Sequence, residues 1–159
     1  MSVNAWHGRE RPEPVFTDMQ AADLDEVMAI EQRVYTHPWS RGNFEDSLNR
    51  AYYARLLRDT QRVLGYFVAM PVVDEAHLLN LSVDVDLQRQ GYGLRLMHEA
   101  VALARANHLE TMLLEVRISN QQAISFYQSV GFGEIGRRKN YYPVTANQRE
   151  DAIMMTMPL

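Results

Sequence analysis

The chain of 159 residues contains no cysteine. That absence excludes a disulfide framework, thiolate zinc sites, iron–sulfur clusters and a cysteine nucleophile able to carry an acyl group. Long hydrophobic runs are also missing. The longest, Val63–Val73, has 11 residues and is interrupted by Pro71, whereas a membrane-spanning helix needs about 20. Positive charge is scarce: 16 Lys and Arg stand against 20 Asp and Glu, for a net charge of −4. A dedicated nucleic-acid binder usually carries a basic face, so no direct nucleic-acid binding is expected. The histidines His7, His37, His77, His98 and His108 keep no metal-ligand spacing, and no metal is expected. The first residues, MSVNAWHGRERPEP, are polar where a secretory signal would carry an apolar core. A cytoplasmic domain without a membrane segment is the expectation.

What is present suits one domain. At 47% hydrophobic residues, a chain of this length buries roughly 70% of its unfolded surface. Residues 1–14 lack periodicity and read as a flexible arm, leaving 15–159 as the folded domain. A short strand is expected at Val15–Thr17. Asp23 and Glu26 have the spacing of a capping box, followed by an apolar stripe through Leu24, Val27, Met28, Glu31 and Val34. His37-Pro38-Trp39 ends that helix, and Ser40 can cap a second carrying Phe44 and Leu48. Three extended runs follow, Tyr52–Leu57, Val63–Met70 and Ala76–Val85, with links short enough for antiparallel neighbours. In the third, Leu79, Leu81 and Val83 alternate on one face. A helix of about 15 residues follows Gly93, then a strand at Thr111–Val116. Next comes a helix capped by Asn120 and closed by Gly131. Strands at Phe132–Arg138 and Ala152–Met157, joined by a loop over Lys139–Glu150, complete an α/β chain with a mixed sheet.

Chemistry concentrates in two places. Gln88-Arg89-Gln90-Gly91-Tyr92-Gly93 lies between a strand and a helix, where free N–H groups and the helix dipole suit an anion such as pyrophosphate. Arg89 and Arg95 add positive charge. The same two glycines also suit a plain tight connection, and the pattern is neither a P-loop nor a dinucleotide fingerprint. Glu115 sits inside an otherwise apolar strand, on one face with Leu113 and Arg117. An ionisable group is costly there unless paired or functional, so a base and an ion pair with Arg117 both fit. Tyr127 stands in the apolar stripe Ile124–Tyr127–Val130, where core packing also fits. Tyr141-Tyr142-Pro143 reads as a rigid aromatic loop or a packed turn.

In combination these segments resemble the GNAT superfamily of acetyl-CoA-dependent N-acetyltransferases. Within it, several segments are similar to the RimI-type ribosomal-protein-alanine N-acetyltransferases. They are HPWS at 37–40, DVDLQRQGYG at 84–93, LEVRISN at 114–120, Phe126-Tyr127, Gly131-Phe132, RKNYYP at 138–143 and REDAI at 149–153. The likeness runs from Val15 to Leu159, and the arm before it is longer than the family usually has. It implies a single-domain GNAT fold with a mixed, mostly antiparallel twisted sheet flanked by helices. It also implies acetyl-CoA as co-substrate and a ribosomal protein N-terminus as acceptor. Leu81, Ser82 and Val83 correspond to the strand that pairs with the pantetheine arm. Arg89, Gln90, Gly91, Tyr92, Gly93 and Leu94 correspond to the pyrophosphate turn, and Asn120 to a cofactor contact. Glu115 corresponds to the general base and Tyr127 to the acid that protonates the departing thiolate. Splaying of adjacent strands around the cofactor is expected to leave a backbone N–H for the thioester carbonyl. Glu150 and Asp151 are candidates to meet basic residues of the acceptor.

Overall fold

The computed structural model describes residues 13–159, so the arm expected at 1–14 lies outside them apart from Glu13 and Pro14. The strands are β1 (Val15–Asp18), β2 (Tyr53–Arg58), β3 (Val63–Val72), β4 (Glu75–Val83), β5 (Thr111–Arg117), β6 (Gly133–Pro143) and β7 (Arg149–Pro158). They form one sheet in the order β1-β2-β3-β4-β5-β7-β6. Every adjacent pair is antiparallel except β4–β5, which is parallel. Helices α1 (Leu24–Val34), α2 (Arg41–Asn49), α3 (Tyr92–Ala106) and α4 (Gln121–Val130) cover the two faces.

Period-two alternation in the central strands divides the core. Val63, Tyr66 and Val68 of β3 pack with Leu24, Val27 and Ile30 of α1 and Phe44 of α2. Leu64, Phe67 and Ala69 turn the other way, onto Leu96, Met97 and Ala100 of α3 and Ile124 of α4. β3 is thus buried on both faces, which explains its continuous hydrophobic run.

Three local expectations are corrected. A 3-10 turn over Ala21–Asp23 precedes α1, and the capping box joins Gln20 to Asp23. Glu26 instead accepts from the backbone N–H of Val63 at 3.1 Å, a partner no local pattern reveals. β6 runs on through Pro143, so most of the expected loop is strand, bent where its register with β7 shifts between Arg138 and Tyr142. The alternation of Leu79 with Leu81 and Val83 fails as well. Val68 pairs with Asn80 and Ala69 with Leu78, making Leu79 a bulge residue that is 37% exposed. The bulge puts Asn80 and Ser82 on the α1 side of the sheet and Leu78, Leu81 and Val83 on the α3 side.

Gly65 lets the layers meet. A Cβ there would lie 2.5 Å from the Ser82 carbonyl oxygen and 2.9 Å from Leu96 Cδ1. Neither a ladder carbonyl nor a fully buried leucine moves cheaply. Gly65→Ala is therefore expected to destabilise the protein by roughly 1–3 kcal/mol, as overpacking does. Equilibrium urea unfolding measures this, and an unchanged midpoint would show that the layers can part there.

Candidate active site

β4 and β5 pair at only three positions, Glu75↔Thr111, Ala76↔Met112 and His77↔Leu113. Beyond these β4 stays with β3 and β5 with β7. The strands diverge, and the opening is a cavity of about 780 Å³ between them. By ladder alternation Leu81 and Val83 turn their backbone groups toward this opening. Their carbonyls already accept from the Tyr35 hydroxyl (2.9 Å) and from Gln88 Nε2 (3.1 Å). The N–H groups are the donors left on that edge.

The glycine turn closes one end of the cavity. Arg89 and Gly91 both take left-handed backbone, with φ of 61° and 87°. Gly91 is the N-cap of α3, and no side chain caps the helix there. Its first N–H groups are therefore available to an anion. A Cβ on Gly91 would meet nothing within 4 Å. Arg95 turns away from this end, toward Glu13 Oε2 (3.5 Å) and the Pro14 carbonyl (3.3 Å). The strand end is held by Asp84, only 3% exposed, which takes Arg33 at 2.7 Å and Arg62 at 2.8 Å and caps Val85 N–H.

Of the residues singled out in the sequence, Leu81, Ser82, Val83, Arg89, Gly91, Gly93, Leu94, Glu115, Asn120 and Tyr127 line this one cavity. Gln90 and Tyr92 do not: Gln90 reaches the Asp86 carbonyl at 3.5 Å, and Tyr92 packs against the core. Asn120 caps α4 through Ala123 N–H at 3.2 Å.

Glu115 and Tyr127 approach from opposite sides. Leu114 and Val116 belong to the core beneath α3 and α4, so Glu115 between them points to the other face, while Tyr127 comes from α4. The Glu115 side chain, 27% exposed, pairs with Arg138 Nε at 2.9 Å rather than with Arg117. Arg117 lies over the Tyr142 ring at 4.5 Å and binds Glu150 at 3.1 Å. Burial pushes the Tyr127 hydroxyl well above the ordinary tyrosine range, and the neighbouring Tyr35 and Tyr142 add to it. Tyr142 itself is pushed up to about 12, mainly by burial and then by Glu115. Glu150 also accepts from Ser119 at 3.0 Å, and Asp151 accepts from Asn140 N–H at 2.9 Å. Both acids are engaged within the protein rather than held free for an acceptor. Over the mouth, His37 Nε2 lies 3.2 Å from the Val144 carbonyl, joining the lip at 35–40 to the β6–β7 turn.

The model of the Acetyltransferase (GNAT) family matches residues 24–132. The chain belongs to that family. It is 38% identical over 143 residues to the [ribosomal protein bS18]-alanine N-acetyltransferase of Escherichia coli (strain K12), covering 90% of this chain and 96% of that protein. The crystal structure of the ribosomal-protein-S18-alanine N-acetyltransferase from Escherichia coli superposes with a TM-score of 0.83 at 37% identity, over 91% of this chain and 93% of that one. A GNAT family acetyltransferase from Elizabethkingia anophelis, with acetyl-CoA bound, shares the fold with a TM-score of 0.75 at 20% identity, over 94% and 100% of the chains.

In this acetyltransferase the sequence reading gave no role to Tyr35, Asn80 or Arg138, which bond to residues at the cleft, and it placed Gln88 in the glycine turn without its bond to the Val83 carbonyl. Asn80 inside an apolar strand was the available signal; the others show none without knowledge of the pairing. No helix among the described residues is long and apolar enough to cross a membrane. The open turn leads to a direct test. Gly91→Val adds a branched side chain at a φ that β-branched residues avoid, in space now clear. Calorimetric titration with CoA should show at least a tenfold loss of affinity, about 1.4 kcal/mol; unchanged affinity in a folded variant would remove the turn from the binding site.

Proposed function

We propose that this enzyme moves an acetyl group from acetyl-CoA to the α-amine of an N-terminal alanine on a small-subunit ribosomal protein, by direct transfer in the cytoplasm. The observation that carries the reading is the placement of Glu115 and Tyr127 on opposite faces of one open cleft. The near full-length likeness to the bS18-alanine enzyme supports the acceptor. The cavity, the free β4 edge and the uncapped glycine turn fit a long ligand with an anionic end. Leu81, Ser82 and Val83 would hold its extended arm, Arg89 to Leu94 its pyrophosphate, and Asn120 would contact it beside α4.

Acetyl-CoA supplies an acyl group already activated as a thioester. The residues of the chain do the rest. Arg138 fixes one oxygen of Glu115, with the Tyr141 hydroxyl beside the same carboxylate, and Glu115 takes the amine proton, directly or through a water, as the C–N bond forms. The N–H groups of Leu81 and Val83 would polarise the carbonyl oxygen. Tyr127, which lines the same cavity, would meet the sulfur as the C–S bond breaks. A thiol titrates near 8.5 and an ordinary tyrosine near 10, and burial raises Tyr127 further. Full proton transfer to a free thiolate is therefore uphill, and Tyr127 acts by donating a hydrogen bond to sulfur while charge develops there.

Acceptor choice follows from basicity. An α-amine with a pKa of about 7.7–8.0 is roughly one-tenth neutral at pH 7, whereas a lysine near 10.4 is neutral in well under a thousandth. One modest carboxylate base suffices for the first. A peptide beginning Ala-Arg and carrying an internal lysine should be acetylated on its terminal nitrogen, as fragment-ion mass spectra would locate; preferential lysine labelling would contradict the N-terminal reading.

The two roles separate by pH. Glu115→Gln should lower turnover by roughly 10²–10⁴-fold, and raising the pH should partly restore it because more amine is then already neutral. Tyr127→Phe should also lose turnover, with no restoration at high pH, since a donor to sulfur is missing. Paired pH–rate profiles on proteins of matched melting temperature decide this, and near-normal rates in both would return the residues to ion pairing and packing.

A further inference from the structure

Glu31 is a buried carboxylate for which the proposed chemistry has no use. It is 1% exposed on α1 and lines the inner wall of the cleft. Its oxygens accept from the Trp39 backbone N–H at 3.1 Å, from Asn80 Nδ2 at 3.1 Å and from the Tyr66 hydroxyl. Burial pushes its carboxyl above the usual range, against the pull of those hydrogen bonds. These three donors belong to different parts of the molecule. Trp39 is in the lip at 35–40, Asn80 is on the cleft strand β4, and Tyr66 is on β3 behind both.

Beyond Asn80 the chain of bonds continues to the β4 edge. Ser82 Oγ lies 2.6 Å from Asn80 Oδ1 and 3.0 Å from the Tyr35 hydroxyl, which lies 2.9 Å from the Leu81 carbonyl. The two hydroxyls own two protons between them, and these three contacts would need three. Tyr35 must choose between Leu81 and Ser82, and Ser82 between Asn80 and Tyr35. The Leu81 carbonyl has a second lone pair, but a ligand N–H donated to it competes with the Tyr35 hydroxyl for that oxygen and tips the first choice toward Ser82. The Tyr35 proton then goes to Ser82, the Ser82 proton to Asn80, and the Asn80 amide is held on Glu31.

We propose that Glu31 is a positioning residue that couples occupancy of the β4 edge by the CoA arm to the order of the acceptor lip at Trp39. The inference rests on the reading of the cleft as a CoA site. Coupling through such a network is energetic and reciprocal, so whatever orders the lip also strengthens binding along β4.

The test uses the full chain with CoA alone, so neither turnover nor the identity of the acceptor enters. Hydrogen exchange of the Trp39 backbone N–H is followed by NMR, and CoA affinity by calorimetry. Saturating CoA should slow that exchange about tenfold, within the usual range for coupled sites. Glu31→Gln and Tyr35→Phe should abolish the slowing and, by the same reciprocity, weaken CoA binding by no more than the same factor of about ten. Tyr66→Phe removes a donor to Glu31 on the side away from the cleft. It should lower stability yet keep the slowing, which a merely structural role for Glu31 would not predict. If Glu31→Gln fails to fold, Tyr35→Phe decides alone. Slowing of wild-type size in Tyr35→Phe, or no slowing in the wild type at saturating CoA, would overturn the coupling. Absence of CoA binding to the wild type would instead overturn the cofactor reading, and the coupling with it.

Discussion

The incomplete pairing of β4 with β5 is the constraint on which the rest depends. Parallel strands share a ladder only while their backbones stay about 4.8 Å apart, and here they do so for three residue pairs. β4 is then committed to β3 and β5 to β7, so the sheet opens into two wings. An exposed strand edge ordinarily invites another strand. Here the edge lies inside a cleft, with two carbonyls covered by Tyr35 and Gln88, so what it invites is an extended ligand lying alongside. The same opening lets Glu115 and Tyr127 face a common space from opposite sides of β5.

Much of the fold was legible because its signals are local. Alternation marked the strands, Ser40 and Asn120 marked two helix starts, and Gly131 marked a helix end with its φ of 126°. The glycine turn was legible for the same reason, since strand, turn and helix are contiguous. The bulge at Leu79 was not, because it is a mismatch between two strands and exists only once β3 and β4 are in register. Nor was the partner of Glu115. Alternation placed Arg117 on its face, but Arg138 reaches it from β6, across β7, and Arg117 is taken by Glu150. Which of two arginines pairs with an acid is decided by strand order, and strand order is not written in any one segment.

Glu31 shows the same limit from the other side. It fell in the apolar stripe of α1, where burial was readable and purpose was not. A buried carboxylate costs several kcal/mol unless its lone pairs are satisfied, and its donors come from positions 39, 66 and 80. Only the folded molecule shows that two of those three belong to the walls of the cleft. Polar groups spread along the chain thus serve one place, and that convergence separates a site from a scatter of core polar residues.

We propose that the open cleft acetylates one kind of amine, the α-amine of a ribosomal protein. Mass spectrometry of protein N-termini in cells with and without this protein tests it most directly. The account predicts that one acetylated ribosomal N-terminus, beginning with alanine, is present only when the protein is. An unchanged set of acetylated N-termini, with acetyl groups gained on lysines or small amines instead, would contradict it.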